Sequence, residues 1–232
     1  YDTIVIGAGP SGLTAAIEAS RNLDLLILEE DKQVGIPRHC TGIVSEDAVK
    51  LIGYPAQKSI MNSIKKAEII SQNEKITIKF DKPVTYVLNR VYFEELLLDE
   101  AIKRGAKIMF NERVKEIKVG KDYLTVKTYK NEFKTKSVIY SIGFSKPILE
   151  NLPKNETMPA IQYEMEGEID DDLVKIMFLK ESKGFFTWLA PTSRNTFLIG
   201  LANKIYPPKI MLDKVIKKLG IKGKRLAIYS GK

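Results

Sequence analysis

The chain begins with an apolar run that leads directly into three glycines at the spacing of a nucleotide-binding turn. Gly7, Gly9 and Gly12 form the pattern GxGxxG, with Pro10 and Ser11 between the last two glycines. In such a turn the first glycine permits a tight bend, the second admits a pyrophosphate to the backbone, and the third lets helix and strand pack closely. The start of the following helix offers free N–H groups and the positive end of a dipole, both of which favour phosphate. The segment therefore predicts a bound dinucleotide.

An acid after the second predicted strand completes this unit. We predict buried strands over residues 2–6 and 25–28, separated by a helix over residues 10–21. Glu29 follows the second strand, about 20 positions after the first glycine, which is the separation of a ribose-binding acid. Its carboxylate is expected to accept hydrogen bonds from the adenosine ribose and to repel a 2′-phosphate, which disfavours NADP. Glu30 is the second choice for this contact, and a glycine-rich turn without a ligand is the alternative.

The composition excludes several classes of protein. The chain has 232 residues with one cysteine and one histidine, so it forms no internal disulfide, and a monomer cannot build a four-ligand zinc site. We therefore expect an organic cofactor and no metal. No run approaches the roughly 18 apolar residues that span a bilayer, and no signal peptide precedes the first strand, which favours a cytoplasmic protein.

The positive charge of the chain has two interpretations. The net charge is +8 and the isoelectric point is 9.3. The lysines are spread along the chain, and over residues 115–136 they alternate with apolar residues, as on the solvated side of an antiparallel sheet. We therefore expect no nucleic-acid partner. Attraction to an anionic membrane surface, which would place the protein peripherally at the inner face of a membrane, is the second interpretation.

The hydrophobic patterns predict an α/β chain of two domains. The first is a Rossmann-like nucleotide-binding domain with a β-meander, formed by residues 1–60 and 89–150, and the second is an antiparallel-sheet domain, formed by residues 61–88 and 151–232. In chain order the other predicted elements are an irregular loop (31–42), a helix capped by Ser45, three strands of an inserted sheet (67–71, 75–80 and 84–88), a helix (90–104) ended by Gly105, a strand (107–110), the meander (113–139), a buried strand (137–142), four strands of a second antiparallel sheet (160–168, 173–179, 184–189 and 196–202), a helix (209–219) and a last strand (225–229).

Together the glycines, Glu29, the helix that starts at Arg90 and the meander resemble the flavin enzymes of the p-hydroxybenzoate hydroxylase fold. Two segments narrow the resemblance. Residues 37–42, with the sequence PRHCTG, resemble the cysteine-and-glycine loop of the geranylgeranyl reductase family, and residues 186–191, FTWLAP, are similar to its substrate-side YxWxFP motif. The resemblance covers nearly all of the chain. In that family FAD reduces carbon–carbon double bonds of polyprenyl chains, including those of archaeal membrane lipids.

The resemblance implies roles for individual residues. It places Arg90 near the cofactor phosphates, makes the backbone of Val114 a contact to adenine, and puts the 37–42 loop beside the flavin. The implied FAD contacts are Gly7, Gly9, Pro10, Ser11, Gly12, Glu29, Glu30, Arg38, His39, Cys40, Gly42, Arg90, Val114 and Gly143. Cys40 is the candidate for a local catalytic role, with a small packed hydrophobic residue as the alternative. Covalent thiol catalysis is rejected, because adjacent His and Cys side chains generally diverge.

The substrate side is implied to include Phe186, Trp188 and Pro191. A core aromatic of the sheet is the alternative for Trp188. The segment departs from the family pattern, since Phe186 replaces tyrosine and Ala190 replaces phenylalanine, which enlarges the cavity or leaves a neighbour to fill it. Flavoproteins of this fold also have a later Gly-Asp motif, and none follows Trp188. We expect a fragment of a longer protein, with loss of flavin binding as the alternative.

The resemblance thus implies an FAD-dependent reductase that saturates double bonds of geranylgeranyl or polyprenyl groups, with an isoprenoid lipid as substrate and NAD(P)H or ferredoxin as electron donor. Hydride passes from the flavin to one alkene carbon and a proton reaches the other. Two alternatives remain open, namely an FAD-dependent aromatic monooxygenase and a noncatalytic flavin- or lipid-binding relative. The altered acidic-glycine pair at Ser141-Ile142-Gly143 argues against the monooxygenase.

Overall fold

The computed structural model describes residues 1–143 and 158–231, which fall into two compact units. The first unit contains residues 1–36 and 91–143, and the second contains residues 37–90 and 158–231. In chain order the elements are β1 (Thr3–Ile6), α1 (Pro10–Ala19), β2 (Leu25–Leu28), β3 (Ile43–Ser45), α2 (Glu46–Ile52), α3 (Tyr54–Lys58), β4 (Ile60–Ile64), β5 (Lys66–Ile70), β6 (Lys75–Lys79), β7 (Thr85–Leu88), α4 (Arg90–Lys103), β8 (Lys107–Met109), β9 (Val114–Val119), β10 (Leu124–Thr128), β11 (Glu132–Thr135), β12 (Ser137–Tyr140), β13 (Ala160–Glu166), β14 (Leu173–Met177), β15 (Thr187–Pro191), β16 (Thr196–Ala202), α5 (Pro208–Lys218) and β17 (Lys224–Gly231).

The first unit is built on a four-stranded parallel sheet with the order β12-β1-β2-β8. Every residue of β1 and β2 is buried, as expected for inner strands of a parallel sheet. Strands β9, β10 and β11 form the predicted antiparallel meander. Its Val114 and Val126 pack in one cluster with residues of β1 and β2, so meander and sheet share a core. The predicted α/β class with a Rossmann-like domain and meander is confirmed.

The second unit is built on a seven-stranded sheet with the order β17-β13-β16-β15-β14-β5-β6. Its pairs are antiparallel except β14 with β5, which is parallel. Helix α5 covers one face, where Met211, Leu212 and Val215 join a core that includes Leu189 and Phe197. The predicted last strand, at residues 225–229, is the edge strand β17 and pairs with β13.

The prediction that residues 67–71, 75–80 and 84–88 form one inserted sheet is wrong. Strands β5 and β6 extend the seven-stranded sheet, whereas β7 pairs with β3 and β4 in a small sheet of three strands. A parallel pair such as β14 with β5 joins segments that are far apart in the chain, and local alternation of apolar residues does not indicate such a partner. The short strands β3 and β4 were not predicted.

Two predicted helix ends, at Ser45 and Gly105, are found at the expected residues. Ser45 caps α2, and its Oγ accepts a hydrogen bond from the Ala48 N–H at 3.2 Å. Gly105 follows α4 with a φ of +100°, the left-handed conformation that ends a helix at little cost in glycine. The two compact units differ from the predicted domains, because residues 37–60 belong to the second unit.

Candidate functional site

The glycine turn in the first unit is closely packed on one side and open on the other. A Cβ atom on Gly12 would overlap the carbonyl oxygen of Gly7, and a Cβ on Gly7, whose φ is +96°, would overlap the carbonyl oxygen of Ser141. In contrast, no described atom lies within 4 Å of a Cβ built on Gly9. Two glycines therefore hold β1, α1 and the end of β12 together, and the third leaves backbone accessible to a ligand.

Helix α1 begins immediately after this open glycine. Gly9 precedes the helix in an extended conformation, and Pro10 occupies the first turn, where its missing N–H removes no helical hydrogen bond. The first turn contains no acidic side chain. The first turn of α1 thus adds no negative charge of its own, and its N–H groups match the chemistry of a pyrophosphate.

Glu29 lies beside the turn with its carboxylate buried. Its Oε2 accepts a hydrogen bond from the Ala8 N–H at 2.6 Å, and its Oε1 accepts one from the Asp31 N–H at 2.9 Å. Burial raises the pKa of the Glu29 carboxyl above its ordinary value, and the two backbone donors offset part of that rise. A carboxylate has about four acceptor positions, so both oxygens keep capacity for ribose hydroxyls.

Three other predicted residues of the first unit occupy different surroundings. Glu30 forms an ion pair with Arg113 at 3.2 Å, and both side chains are exposed. The Val114 side chain is buried in the core, so a contact to adenine would have to use its backbone, as predicted. Gly143 has a φ of +58°, and no described atom lies within 4 Å of its Cβ position.

Glu112 is a buried acid of the first unit that the sequence did not indicate. Its backbone N–H donates to the Glu29 carbonyl oxygen at 2.8 Å, and its Oε1 accepts from the Asn131 side chain at 2.7 Å. The Glu112 Oε2 has no partner among residues 1–143 and 158–231. The turn after β8 that places Glu112 next to Glu29 depends on the β2–β8 pairing, which no local pattern reveals.

The second unit gathers its functional candidates on the sheet face opposite α5. Trp188, Gly200, Gln162 and Tyr229 follow one another across β15, β16, β13 and β17 at paired positions. A Cβ on Gly200 would overlap the indole ring of Trp188. The ring therefore lies flat over the β16 backbone, in space that only glycine leaves free.

A shared hydrogen-bond acceptor connects Trp188 to the predicted site loop. The indole Nε1–H of Trp188 donates to Oε1 of Gln162 at 2.9 Å, and the Thr41 hydroxyl donates to the same oxygen at 2.6 Å. Gln162 is buried, so this oxygen depends on those two donors. The 37–42 loop and Trp188 are thus held on one face through a glutamine that sequence inspection missed.

Aromatic side chains extend this face beyond Trp188. Phe186 meets Trp188 edge to face, with ring centroids 6.1 Å apart, and stacks on Phe185 at 4.2 Å. It also contacts Phe178 at 6.2 Å. Phe178 and Phe185 are exposed, so the group ends in an apolar patch at the surface of the unit. Phe186 and Trp188 are brought together as predicted.

Pro191 and Ala190 lie away from that patch. Side chains alternate along β15, so Pro191 is on the same face as Leu189 and opposite Trp188; it is buried and pairs with Phe197. The structure thus does not bring Pro191 together with the other two predicted residues. Ala190 packs with Ile64, Val87 and Val174, which fill the volume that a larger side chain would take.

The loop residues differ in their burial and their contacts. Arg38 packs against Glu164 and Tyr229, with Nη1 at 3.4 Å from the Glu164 carboxylate and 3.5 Å from the Tyr229 hydroxyl. Nδ1–H of His39 donates to the Ser230 carbonyl oxygen at 2.9 Å. Cys40 is exposed, and its Sγ accepts a 3.4 Å contact from the Gly42 N–H.

Gly42 is fixed by the end of β7, a strand of the small sheet. Its φ is +84°, and a Cβ there would approach the Leu88 carbonyl oxygen and lie 3.3 Å from Cγ of Arg90. The end of the 37–42 loop therefore packs against Arg90, the residue predicted to lie near the cofactor phosphates. Among residues 1–143 and 158–231, no group of three His, Cys, Asp or Glu side chains is arranged to hold a metal ion. The helices within those residues include none long and apolar enough to cross a membrane.

Comparison with known proteins identifies the family. Residues 4–174 match the model of the pyridine nucleotide-disulphide oxidoreductases. The chain belongs to this family. The chain is similar to an uncharacterized protein of Methanocaldococcus jannaschii, with 31% identity over 88% of this chain and 54% of the relative. It is also similar to the digeranylgeranylglycerophospholipid reductase of Methanococcus vannielii, with 28% identity over 82% of this chain and 52% of the relative.

The chain spans about half the length of these curated relatives. Among solved structures, a geranylgeranyl bacteriochlorophyll reductase-like protein from Thermoplasma acidophilum matches with a TM-score of 0.85 and 23% identity, over 100% of this chain and 65% of that one. This match shows a common fold. The predicted resemblance to geranylgeranyl reductases is confirmed by these relatives of the oxidoreductase family.

Proposed function

We propose that this chain is part of an FAD-dependent reductase that saturates carbon–carbon double bonds of polyprenyl groups, with membrane lipids as its substrates. The observation that carries this proposal is the combination of a pyrophosphate-accepting turn at Gly9 with the exposed aromatic patch around Trp188. The reductase names of the relatives support the same reaction. The first unit is then the cofactor-binding part, and the second is the substrate-binding part.

The first unit holds the adenosine half of FAD in this proposal. The Gly9 backbone and the α1 N-terminus bind the pyrophosphate, since both present N–H groups and the first turn of α1 contains no acidic side chain. Glu29 is already oriented by two backbone donors, so it accepts ribose hydroxyls with little loss of side-chain entropy. FAD, when bound, supplies the hydride that reduces the alkene.

The second unit binds and orients the hydrocarbon chain. Trp188 is fixed by Gln162 and by its packing on Gly200, so its ring offers a rigid apolar surface. Phe186 continues that surface toward the exposed Phe178 and Phe185. Contact between these rings and a polyprenyl chain excludes water from both, which favours binding by roughly 25 cal/mol for each Å² of apolar surface buried.

Cys40 is the loop residue to which we assign a role at the cofactor. Its thiol is exposed and faces a backbone N–H, so it is placed to contact a ligand. We assign it no proton transfer. NAD(P)H or ferredoxin is the proposed electron donor, and peripheral contact with a membrane would present the lipid to the aromatic patch.

Turnover without oxygen tests the proposed reaction. The purified protein, reduced with dithionite under argon, is incubated with a geranylgeranyl glycerophospholipid, and the product is examined by mass spectrometry. We expect a gain of two hydrogens for each double bond reduced. A product that forms only in air and gains an oxygen atom contradicts the reductase and identifies a monooxygenase. A yellow protein that leaves every polyprenyl lipid unchanged identifies a carrier.

A further inference from the structure

Arg38 is a largely buried cation, and two of its three guanidinium nitrogens have no hydrogen-bond partner among the described residues. Its side chain is 13% exposed, and its Nη1 faces Glu164 and Tyr229. The guanidinium carbon lies 5.3 Å from the centroid of the Tyr229 ring. The Nε and Nη2 atoms are both buried, and neither has a hydrogen-bond partner among residues 1–143 and 158–231.

The two unused nitrogens form one geometric unit. In a guanidinium group the Nε–H and the Nη2–H point in the same direction and make a fork that matches two oxygens of one phosphate or carboxylate. A buried N–H without an acceptor is costly, so two such donors in parallel call for an acceptor that the described residues do not supply. Lysine, as a point charge, would not present this fork.

The surroundings of the fork hold the guanidinium in place. The Tyr229 hydroxyl donates to Glu164 Oε2 at 2.6 Å, the same oxygen that Arg38 approaches at 3.4 Å. Burial, and then this hydrogen bond, raise the pKa of the Tyr229 phenol, so the tyrosine stays protonated and adds no negative charge. Glu164 faces one edge of Arg38, and the opposite Nε–Nη2 edge has no acceptor among the described residues.

The fork also lies on the sheet face that carries the aromatic patch. Tyr229 and Trp188 occupy the same row across the sheet, three strand positions apart, which corresponds to about 14 Å. One end of this row is aromatic and apolar, and the other presents a cation. A ligand that matches both ends has a hydrocarbon chain and an anionic head.

We propose that the Nε–Nη2 edge of Arg38 binds the phosphate of a lipid whose hydrocarbon chain lies on Trp188 and Phe186. The polyprenyl nature of that chain rests on the proposed function, whereas the oxyanion site follows from Arg38 itself. A phosphate of the cofactor has the same chemistry as the lipid head, so the test separates these two sources.

Paired ligands measure the phosphate contact directly. Geranylgeranyl phosphate and geranylgeraniol differ by the phosphate alone, and their binding is followed by the fluorescence of Trp188, the single tryptophan of the chain. In Arg38→Gln we expect geranylgeranyl phosphate to bind about 10- to 100-fold more weakly, whereas geranylgeraniol stays within about twofold. Arg38→Lys keeps the positive charge but not the fork, so we expect its affinity for geranylgeranyl phosphate to lie between those of the parent and Arg38→Gln.

Glu164→Gln distinguishes an anion site from a structural ion pair. Removal of the carboxylate takes away a negative charge near the bound phosphate, so we expect this variant to bind geranylgeranyl phosphate more tightly than the parent. Arg194→Gln is the matched control, because this exposed arginine of the same unit changes the net charge equally; its binding of both ligands should match the parent. Melting temperatures check that each variant is folded.

Three results would overturn the proposal. The first is equal weakening of both prenyl ligands in Arg38→Gln, which would make Arg38 a purely structural residue. The second is that Arg38→Gln loses affinity for FAD relative to riboflavin but binds geranylgeranyl phosphate as the parent does. This result would show that the fork binds a phosphate of the cofactor. The third is weakening of the phosphate ligand in both Arg38→Gln and Glu164→Gln. Because binding requires no turnover, failure of alkene reduction would refute the proposed reaction and leave this result standing.

Discussion

Two glutamates, Glu29 buried in the first unit and Glu164 partly buried in the second, show two ways of preparing a binding site. Glu29 in the first unit is held by the backbone N–H groups of Ala8 and Asp31, close to it in the fold of one βαβ motif. Glu164 in the second unit is held by the side chains of Arg38 and Tyr229, which come from a loop and from the far edge of the sheet. The first arrangement can be predicted from a short sequence motif, whereas the second depends on which strands pair.

The difference explains which parts of the molecule the sequence revealed. The glycine spacing, the acid after β2, the Ser45 cap and the glycine after α4 are local features, and each was predicted. The partners of Trp188 and Arg38 are not local, because Gln162 and Tyr229 are brought to this sheet face only by the β13–β16 and β13–β17 pairings. Polar residues alternate with apolar ones along β13, which indicated a sheet face, but this alternation does not indicate which strand lies next to β13.

Trp188→Ala should have the largest effect on the second unit. Because the Trp188 ring is proposed to contact the substrate and not the cofactor, we expect lipid turnover to fall about 100-fold, equivalent to roughly 3 kcal/mol, with FAD content unchanged. Trp188→Phe is the matched control and should keep most of the turnover. A loss of roughly 3–5 kcal/mol in unfolding free energy together with a loss of FAD would instead show that Trp188 is a core residue.

Gly12→Ala should have the largest effect on the first unit. The added methyl group meets the Gly7 carbonyl oxygen, a backbone atom that cannot turn away, so we expect a loss of about 3 kcal/mol in unfolding free energy by urea titration. Gly9→Ala is the matched comparison, because its methyl group meets no described atom within 4 Å. It should keep the stability of the parent and lose FAD affinity. Equal stability loss in both variants would refute the assigned division of roles.

Glu29→Gln should weaken FAD binding by about 1.5–3 kcal/mol, because a charge-assisted hydrogen bond to the ribose is lost. Dialysis titration with FAD measures the change. Glu30→Gln is the control, since Glu30 is exposed and pairs with Arg113, and its affinity should match the parent. Unchanged affinity in Glu29→Gln with reduced affinity in Glu30→Gln would move the ribose contact to Glu30.

The smallest expected effect is a pH dependence of stability without cofactor. Burial raises the pKa of Glu29 above its ordinary 4.5, so its contribution to stability is complete below that pH and is lost as the pH rises through the folded-state pKa. The unfolding free energy of the parent relative to Glu29→Gln should therefore decline from pH 4 to pH 7. Urea titrations at the two pH values measure this, and an increase over the same range would mean that the backbone donors outweigh burial.

The cofactor released on denaturation tests the central claim most directly. GxGxxG with Glu29 suits either FAD or NAD, and the choice of FAD rests on the loop, the Arg90 helix and the reductase relatives. We expect the purified protein to show a flavin absorption spectrum and to release FAD in stoichiometric amount when it is denatured, as identified by chromatography and mass. Release of NAD without flavin would contradict the account.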